Sequence, residues 1–418
     1  MTIDKTTIAQ CAQQSNAFYL YDERVIQSQM NILTTSFPKV QFLYSMKCNA
    51  DQRVTASIFS QGFGADAASV GEVEQAVALG KAKDAIYFSA PGKTREDIVR
   101  TIQSAVLIAD SLDEIGRIQD VSKKMQLVAE IGLRINPNFS FDGSAGAVSK
   151  FGIDEDLALQ FLQENPYDHV RVTGLHVHLR SQSLDADALA AYYQNILALA
   201  QRVEQQTKTP LAYVNLGSGI GIPYRMDEQA LDIEKLSLSL NQAIADFHAA
   251  LPQTQILMET GRFLVGKAGV YVTQVLDRKV SHGKTFVILK NTLNGFVRPS
   301  MACLVEHYDA SDSPATYEPF YTSRNAFQFI PLKEDSPCEK VDLVGNLCTS
   351  TDVIAEDIMM PHLEAGDYMV ITNAGAYAAV LSPMQFASQP APAAFFVDAH
   401  GVLHGANCAA SLNAADKR

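Results

Sequence analysis

Between residues 40 and 260, short apolar runs alternate with longer amphipathic stretches, and this alternation restricts the fold more than any other property of the chain. Strand, helix and strand in succession build a parallel sheet, because the helix carries the chain back to the edge where the next strand must start. The strand candidates are residues 40–46, 62–66, 85–89, 105–109, 126–135, 172–178, 212–216 and 255–259. Stretches such as 69–79 and 187–206, rich in Ala, Leu, Glu and Gln, suit the covering helices. Eight such units is the number that closes a (β/α)8 barrel.

After Gly261 the pattern changes. Segments 269–276, 285–289, 340–343 and 368–372 are short, β-branched and separated by Asn, Gly, Pro and Asp, which predicts a second, mostly β domain. The expected organisation is a barrel over 24–262, a β domain made of 1–23 and 263–400, and a frayed Ala/Asn-rich tail over 401–418. The opening strand, residues 17–21, fits either unit.

A formal charge of −13 removes the basic face that nucleic acid or an anionic membrane requires, so a small-molecule ligand is expected instead. The first residues lack the basic and apolar regions of a leader peptide, and no apolar run is long enough to span a bilayer. The six cysteines are scattered without metal-binding spacing, as in a reduced, cytoplasmic protein.

In a β/α barrel the chemistry gathers where strands run into loops at the C-terminal face. Lys47 follows the first strand candidate, Asp66 ends the second, Arg134 lies near the end of the fifth and His178 ends the sixth. The run Gly217–Ser218–Gly219–Ile220–Gly221 follows the seventh, and Glu259 ends the eighth. All of them would face one mouth. A lysine there is partly desolvated, which lowers its pKa and suits imine chemistry, although alone it is an ordinary strand-end lysine reaching for water. The glycine run offers unobstructed N–H groups to a phosphate, or it is merely a turn. Glu259 could face a pyridine nitrogen and Arg262 a phosphate or carboxylate, the bland alternative being a surface ion pair. His176 and His178 share a face and could ligate a metal or stack on a flat cofactor. Cys348 and Tyr377 fall in glycine-containing loops of the β domain, where a buried structural cysteine is the usual case.

The segments YSMKCN, GFGADAASVGE, SKFGI, HVHLRSQ, LGSGIGIPY, ETGR, VRP, VGNLCTSTD and GAY occur in an order that resembles the fold-type III pyridoxal-phosphate enzymes. These have an alanine racemase-like architecture, and the match is specifically to the diaminopimelate/ornithine decarboxylase family. The resemblance implies pyridoxal 5'-phosphate held covalently by Lys47, with His178 stacked on the ring and Asp66 and Glu72 in support. It implies Glu259 at the pyridine nitrogen. Ser181, Gly217, Gly219, Gly221, Gly261, Arg262 and Tyr377 would lie around the cofactor and its phosphate. It also implies a homodimer with shared sites, in which Cys348 reaches in from the partner to return a proton after carbon dioxide leaves.

Departures from the family pattern bear on the substrate. Thr349 follows Cys348 where an acidic residue is usual, Ala302 replaces a tyrosine, and Arg180 stands in place of a glycine. Ser218 replaces a glycine of the phosphate loop, and Thr260 replaces a proline. A roomier, more cationic pocket is expected. With APGKT at residues 90–94, the chain is most similar to the branch that decarboxylates citryl-amino acid conjugates in siderophore synthesis. Arg134, Arg180, Arg298, Thr349 and Asp352 are the substrate candidates, Asp352 either touching ligand or capping a helix. A diaminopimelate or other diamino-acid decarboxylase is the alternative within the family. A metal-dependent barrel hydrolase is the alternative outside it, although no metal ligands beyond the histidine pair present themselves.

Overall fold

The computed structural model describes residues 4–308, 318–323, 325–333 and 336–408. Eight parallel strands close on themselves: β2 (Val40–Ser45), β3 (Gly64–Ala67), β4 (Ile86–Phe88), β5 (Val106–Ala109), β6 (Ala129–Asn136), β8 (Val170–His176), β9 (Tyr213–Asn215) and β10 (Gln255–Thr260). The ring is sealed where β10 pairs with β2 and β5 with β6, while the two-residue β7 (Ile153–Asp154) pairs with β6 outside it. This is the predicted barrel, with every strand candidate present. The sixth strand ends at His176, so His178 lies in the loop beyond it.

The second sheet is mostly antiparallel. Its path runs β15 (Val353–Pro361), β14 (Cys338–Gly345), β12 (Lys284–Leu289), β11 (Gly269–Ser281), β1 (Ala17–Asp22), β17 (Ala393–Val397), β18 (Leu403–Cys408), with β16 (Tyr368–Ile371) joining β11 to β13 (Phe329–Pro331). The opening strand therefore belongs here, between β11 and β17. The expected frayed tail is corrected over Leu403–Cys408, which pairs with β17 and is held by its ladder; residues 409–418 lie outside the described residues. No helix among the described residues is long and apolar enough to cross a membrane.

The inside of the barrel is built in layers. Leu43, Tyr87, Ile108, Tyr213 and Leu257 form an apolar cluster separate from the core between strands and helices. The Tyr213 ring fills the space facing β6 and β8, where both strands carry glycine. A Cβ at Gly174 would lie 2.1 Å from Tyr213 Cζ, and one at Gly132 2.3 Å from its hydroxyl. Gly174→Ala is therefore expected to cost about 1–3 kcal/mol through overpacking, measurable as an earlier midpoint in urea unfolding. An unchanged midpoint would mean that Tyr213 can move aside.

Strand side chains alternate, so the inward position two residues past each member of this plug belongs to the layer above it. Those positions are Ser45, Ser89, Asp110, Asn215 and Glu259; with Asp66, Arg134 and His176, two residues past Gly64, Gly132 and Gly174, they make a polar ring with one residue in or just past each strand.

Candidate active site

Lys47 sits in a single 3-10 turn, Met46–Cys48, directly after β2. The second domain clamps this turn: the Tyr377 N–H donates to Cys48 O at 2.8 Å, and Asn49 Nδ2 donates to Gly375 O at 2.8 Å. Lys47 Nζ lies 2.8 Å from Asp66 Oδ2. Asp66 is fully buried and saturated, its oxygens also accepting from the Ser45 and Ser89 hydroxyls at 2.8 Å each. The lysine side chain keeps 41% of its surface open toward the pocket, so the amine is fixed yet reachable.

The expectation of a lowered lysine pKa is corrected. Burial pulls it down, but the carboxylates of Asp66 and then Glu259 outweigh burial and hold the ammonium above its ordinary range.

Glu259 is buried rather than part of a surface ion pair. Asn215 Nδ2 donates to its Oε1 at 3.0 Å, and His176 Nε2 lies 3.0 Å from the same oxygen, off the direction of a straight hydrogen bond. Burial alone would raise the carboxyl pKa, yet His176, Lys47 and His178 hold it ionised well below the carboxylate range. Asn215 Oδ1 also accepts from Gly217 N–H at 2.9 Å, which ties Glu259 to the glycine run.

His178 Nδ1 accepts from Ser218 N–H at 3.1 Å, placing the proton of the neutral ring on Nε2, 3.3 Å from Ser181 Oγ. No group of three or more metal-ligating side chains is found among the described residues. Burial is the main reason that the His178 pKa falls to about 3, with the Arg134 and Lys47 charges adding to it against the pull of Glu259. Between pH 3 and 6.5 the unfolded chain then binds more protons than the native one. The contribution of neutral His178 is complete above about pH 6.5 and drains away on acidification. An NMR titration should accordingly show no His178 transition between pH 5 and 8; a midpoint near 6.5 would contradict this.

The pocket around Lys47 is lined by Ser45, His178, Ser181, Ser218, Ile220, Glu259, Gly261, Arg262 and Tyr377, among others. In the glycine run, Gly217 N–H is taken by Asn215 and Gly221 N–H by Ser183 O, so neither is free for a phosphate as expected. The Gly219 and Ile220 N–H groups have no partner among the described residues. Gly219 has φ +147°, and a Cβ there would lie 2.7 Å from Leu189, so only glycine fits. At Gly261 a Cβ would lie 2.8 Å from Cys48 Sγ.

Arg262 is buried. Its Nη1 donates to Tyr224 Oη at 2.7 Å, its Nη2 meets Glu318, and its guanidinium lies 4.8 Å from the Tyr377 ring centroid. Glu72 makes no bond to Lys47; its carboxylate accepts from Ala68 N–H at 2.7 Å, and burial pushes its pKa up to about 7.

A cavity of about 540 Å³ adjoins the Lys47 pocket through His178 and Ser181. It is walled by residues 139–151, Arg134, Arg180 and Glu318. The Arg134 guanidinium lies 4.5 Å from the Phe151 centroid, donates through Nη2 to His178 O and lies 3.8 Å from Asp110, whereas that of Arg180 lies 5.3 Å from Phe141, which leaves its donor edge toward the cavity.

Three substrate expectations are corrected. Arg298 is fully buried, its guanidinium taken by Tyr224 Oη, Ala376 O and the Thr322 hydroxyl, so it braces the wall behind Arg262. Asp352 is buried as well. It accepts from the Thr292 hydroxyl and from the N–H groups of Leu293 and Leu347 at 2.9 and 3.0 Å, joining two loops rather than capping a helix. Ala302 lines a different cavity, between the Val297–Tyr308 helix and β15. Cys348 is exposed on the turn after β14 and, like Thr349, is absent from the lining of the Lys47 pocket of its own chain.

Residues 23–266 match the family model described as pyridoxal-dependent decarboxylase, pyridoxal binding domain. The chain belongs to the pyridoxal-dependent decarboxylases. It is 32% identical over 411 residues to the L-glutamyl-[BtrI acyl-carrier protein] decarboxylase of Niallia circulans, covering 94% of this chain and 91% of that one. It is 28% identical to the 2-[(L-alanin-3-ylcarbamoyl)methyl]-2-hydroxybutanedioate decarboxylase of Staphylococcus aureus, covering 94% and 97%. The solved diaminopimelate decarboxylase of Helicobacter pylori, complexed with L-lysine, superposes with a TM-score of 0.81 at 25% identity, covering 98% of each chain.

The protein is thus a pyridoxal-phosphate-dependent decarboxylase of an amino acid or amino-acid conjugate. The residues present fit that cofactor. A reachable amine stands near a buried ionised carboxylate, and among the described residues the N–H groups beside a glycine-only cradle and the buried His176 Nδ1 have no hydrogen-bond partner.

Sequence reasoning passed over Ser45, Ser89, Asn215, Tyr224 and Glu318. The first three were signalled by the same two-residue spacing that marks Asp66 and Glu259.

Proposed function

We propose that Lys47 holds pyridoxal phosphate covalently, with Asp66 fixing the amine and Glu259 facing the pyridine nitrogen. His178 would lie against the ring, Ser181 beside it, and Gly219, Ile220, Gly261, Arg262 and Tyr377 around the phosphate region, Gly217 and Gly221 shaping the loop. The observation that carries this reading is the 2.8 Å contact between Lys47 and Asp66 on the polar ring that also bears Glu259. Bound there, the cofactor supplies an electron sink for the pair left when a carboxylate departs. Glu259, ionised and anchored by Asn215, keeps a positive charge on the ring nitrogen favourable. Neutral His178 presents a flat, uncharged face.

The partner subunit's Cys348 would return the proton to the carbon, in a homodimer with shared sites. Its exposed turn, absent from the lining of the Lys47 pocket of its own chain, supports that arrangement. The five described cysteines are free, as a reducing compartment leaves them, which supports a cytoplasmic setting.

For the substrate we propose a citryl-amino acid conjugate, of the citryl-diaminopropionate or citryl-serine type used in siderophore synthesis. The name of the staphylococcal relative describes a hydroxylated dicarboxylate joined to alanine through a carbamoyl link. The cavity beside Lys47 has the volume for such a tail and the Arg180 guanidinium for one of its carboxylates. The likeness to the H. pylori enzyme favours diaminopimelate as the second reading, but a distal ammonium calls for a carboxylate where this chain has Thr349.

The test is to incubate the loaded protein with citryl conjugates, diaminopimelate, other diamino acids and a carrier-bound glutamyl group, following carbon dioxide loss by mass spectrometry. Arg180→Ala should raise KM for the citryl conjugate about tenfold, as expected for one charge-assisted contact, with a smaller change in kcat. Unchanged turnover of the conjugate, together with faster turnover of a diamino acid, would end this substrate reading.

A further inference from the structure

We infer, on the reading that Lys47 holds the cofactor, that Ser45 and Ser89 are positioning residues which let the lysine give up its proton when it takes hold of pyridoxal phosphate. They act through Asp66. That residue is fully buried, so its carboxylate is cut off from bulk water and depends on protein donors. It has three of them: Lys47 Nζ and Ser45 Oγ at Oδ2, and Ser89 Oγ at Oδ1, each at 2.8 Å. The two hydroxyls arrive from either side. Ser45 ends β2 and Ser89 follows β4, the strands that flank β3 and its Asp66.

The ammonium of Lys47 has no lone pair, so only the neutral amine can attack an aldehyde. Its nitrogen adds to the carbonyl carbon, and the carbonyl oxygen leaves as water when the C=N bond closes. While the amine is neutral, Asp66 is a buried anion without its counter-charge, a state that is costly unless hydrogen bonds support it. Ser45 and Ser89 keep one donor on each oxygen through that interval. Their bonds therefore matter most when Lys47 is neutral, and removing either hydroxyl ties the proton more firmly to the lysine.

Glu259 on β10, Glu72 on the Val70–Ala78 helix, Tyr377 of the second domain, Cys48 in the same turn and His178 also face Lys47. Burial pushes Glu72 up to about 7 and both Tyr377 and Cys48 up to about 12, while Glu259 is ionised and His178 neutral. Between about pH 8 and 10 these neighbours hold their charge, so a difference in that range reports on the lysine.

The test is capture of pyridoxal phosphate by the full chain freed of cofactor, followed in that range as growth of the long-wavelength absorbance. Ser45→Ala and Ser89→Ala should each capture about threefold more slowly than wild type, and the double variant about tenfold, the scale of hydrogen bonds to a charged group. Pyridoxamine phosphate, which has no aldehyde, should bind all four proteins equally, which separates a retained proton from a damaged site. In an Asp66→Asn background the serine substitutions should have no effect on capture. The single variants carry the test if the double variant folds poorly. Capture at the wild-type rate in both singles, a matching loss of pyridoxamine phosphate affinity, or a full effect in the Asp66→Asn background overturns the inference. Wild type that never develops the absorbance would instead end the reading of Lys47 as the cofactor lysine.

Discussion

Lys47→Ala is expected to remove the long-wavelength absorbance that a lysine-bound pyridoxal gives and to lower turnover by about 10³-fold or more, the scale seen when a group that makes a covalent bond in catalysis is deleted. The amine is the only part of Lys47 that chemistry requires; its charge does a different job, neutralising Asp66 on a buried ring. Lys47→Arg separates the two. It retains a cation for Asp66 and should preserve the unfolding midpoint, while remaining as inactive as the alanine variant. Coexpression gives a second outcome. Chains carrying Lys47→Ala and chains carrying Cys348→Ala should each be nearly inactive alone. Mixed dimers should recover a substantial fraction of wild-type turnover, because one of their two sites combines an intact Lys47 with an intact partner cysteine. No recovery in verified mixed dimers would place both groups in one chain and end the shared-site proposal.

Glu259→Gln should lower kcat by about 10²–10³-fold, the usual cost of losing one preorganised electrostatic contact, with much less effect on cofactor loading. The glutamine keeps the shape and the bond to Asn215 but gives up the charge opposite the ring nitrogen. A pH series sharpens the test. Because the carboxyl pKa is depressed in the native state, the unfolded chain binds more protons in acid. The stability linked to Glu259 is then present above its ordinary value of 4.5 and is lost as pH falls below it. Wild type should lose stability on acidification more steeply than Glu259→Gln. Equal kcat in the two proteins would show that the ring nitrogen is not Glu259's partner.

What the sequence reveals, and where it misleads, follows from the range over which each contact acts. Lys47, Asp66, Arg134 and Glu259 could be found because a barrel fixes the direction of its strand ends, and these residues need no further information to be placed. The sign of the Lys47 pKa shift could not be read locally. It depends on a carboxylate 19 residues away in the chain and 2.8 Å away in space. Arg298 looked like a free cation after β12 because its occupants, Tyr224 and Thr322, come from 74 and 24 residues away. Asp352 misled for the same reason, its hydroxyl partner lying 60 residues upstream. Ser45, Ser89 and Asn215 were legible in principle. They are unremarkable polar residues until the inward register of each strand is set by the plug residue two positions earlier.

The plug beneath the polar ring divides the labour of the molecule. Asp66 and Glu259, which hold and complement the cofactor, stand on strands whose inward positions are fixed by a barrel interior that includes tyrosine packed against glycine, so their spacing is hard to alter one residue at a time. Arg180, proposed to choose the substrate, sits in a loop with no such constraint. A lineage, or a directed-evolution library confined to residues 139–151 and 180, can therefore change what is decarboxylated while leaving the means of decarboxylation intact. Variants from such a library should stay yellow whether or not they accept a new substrate.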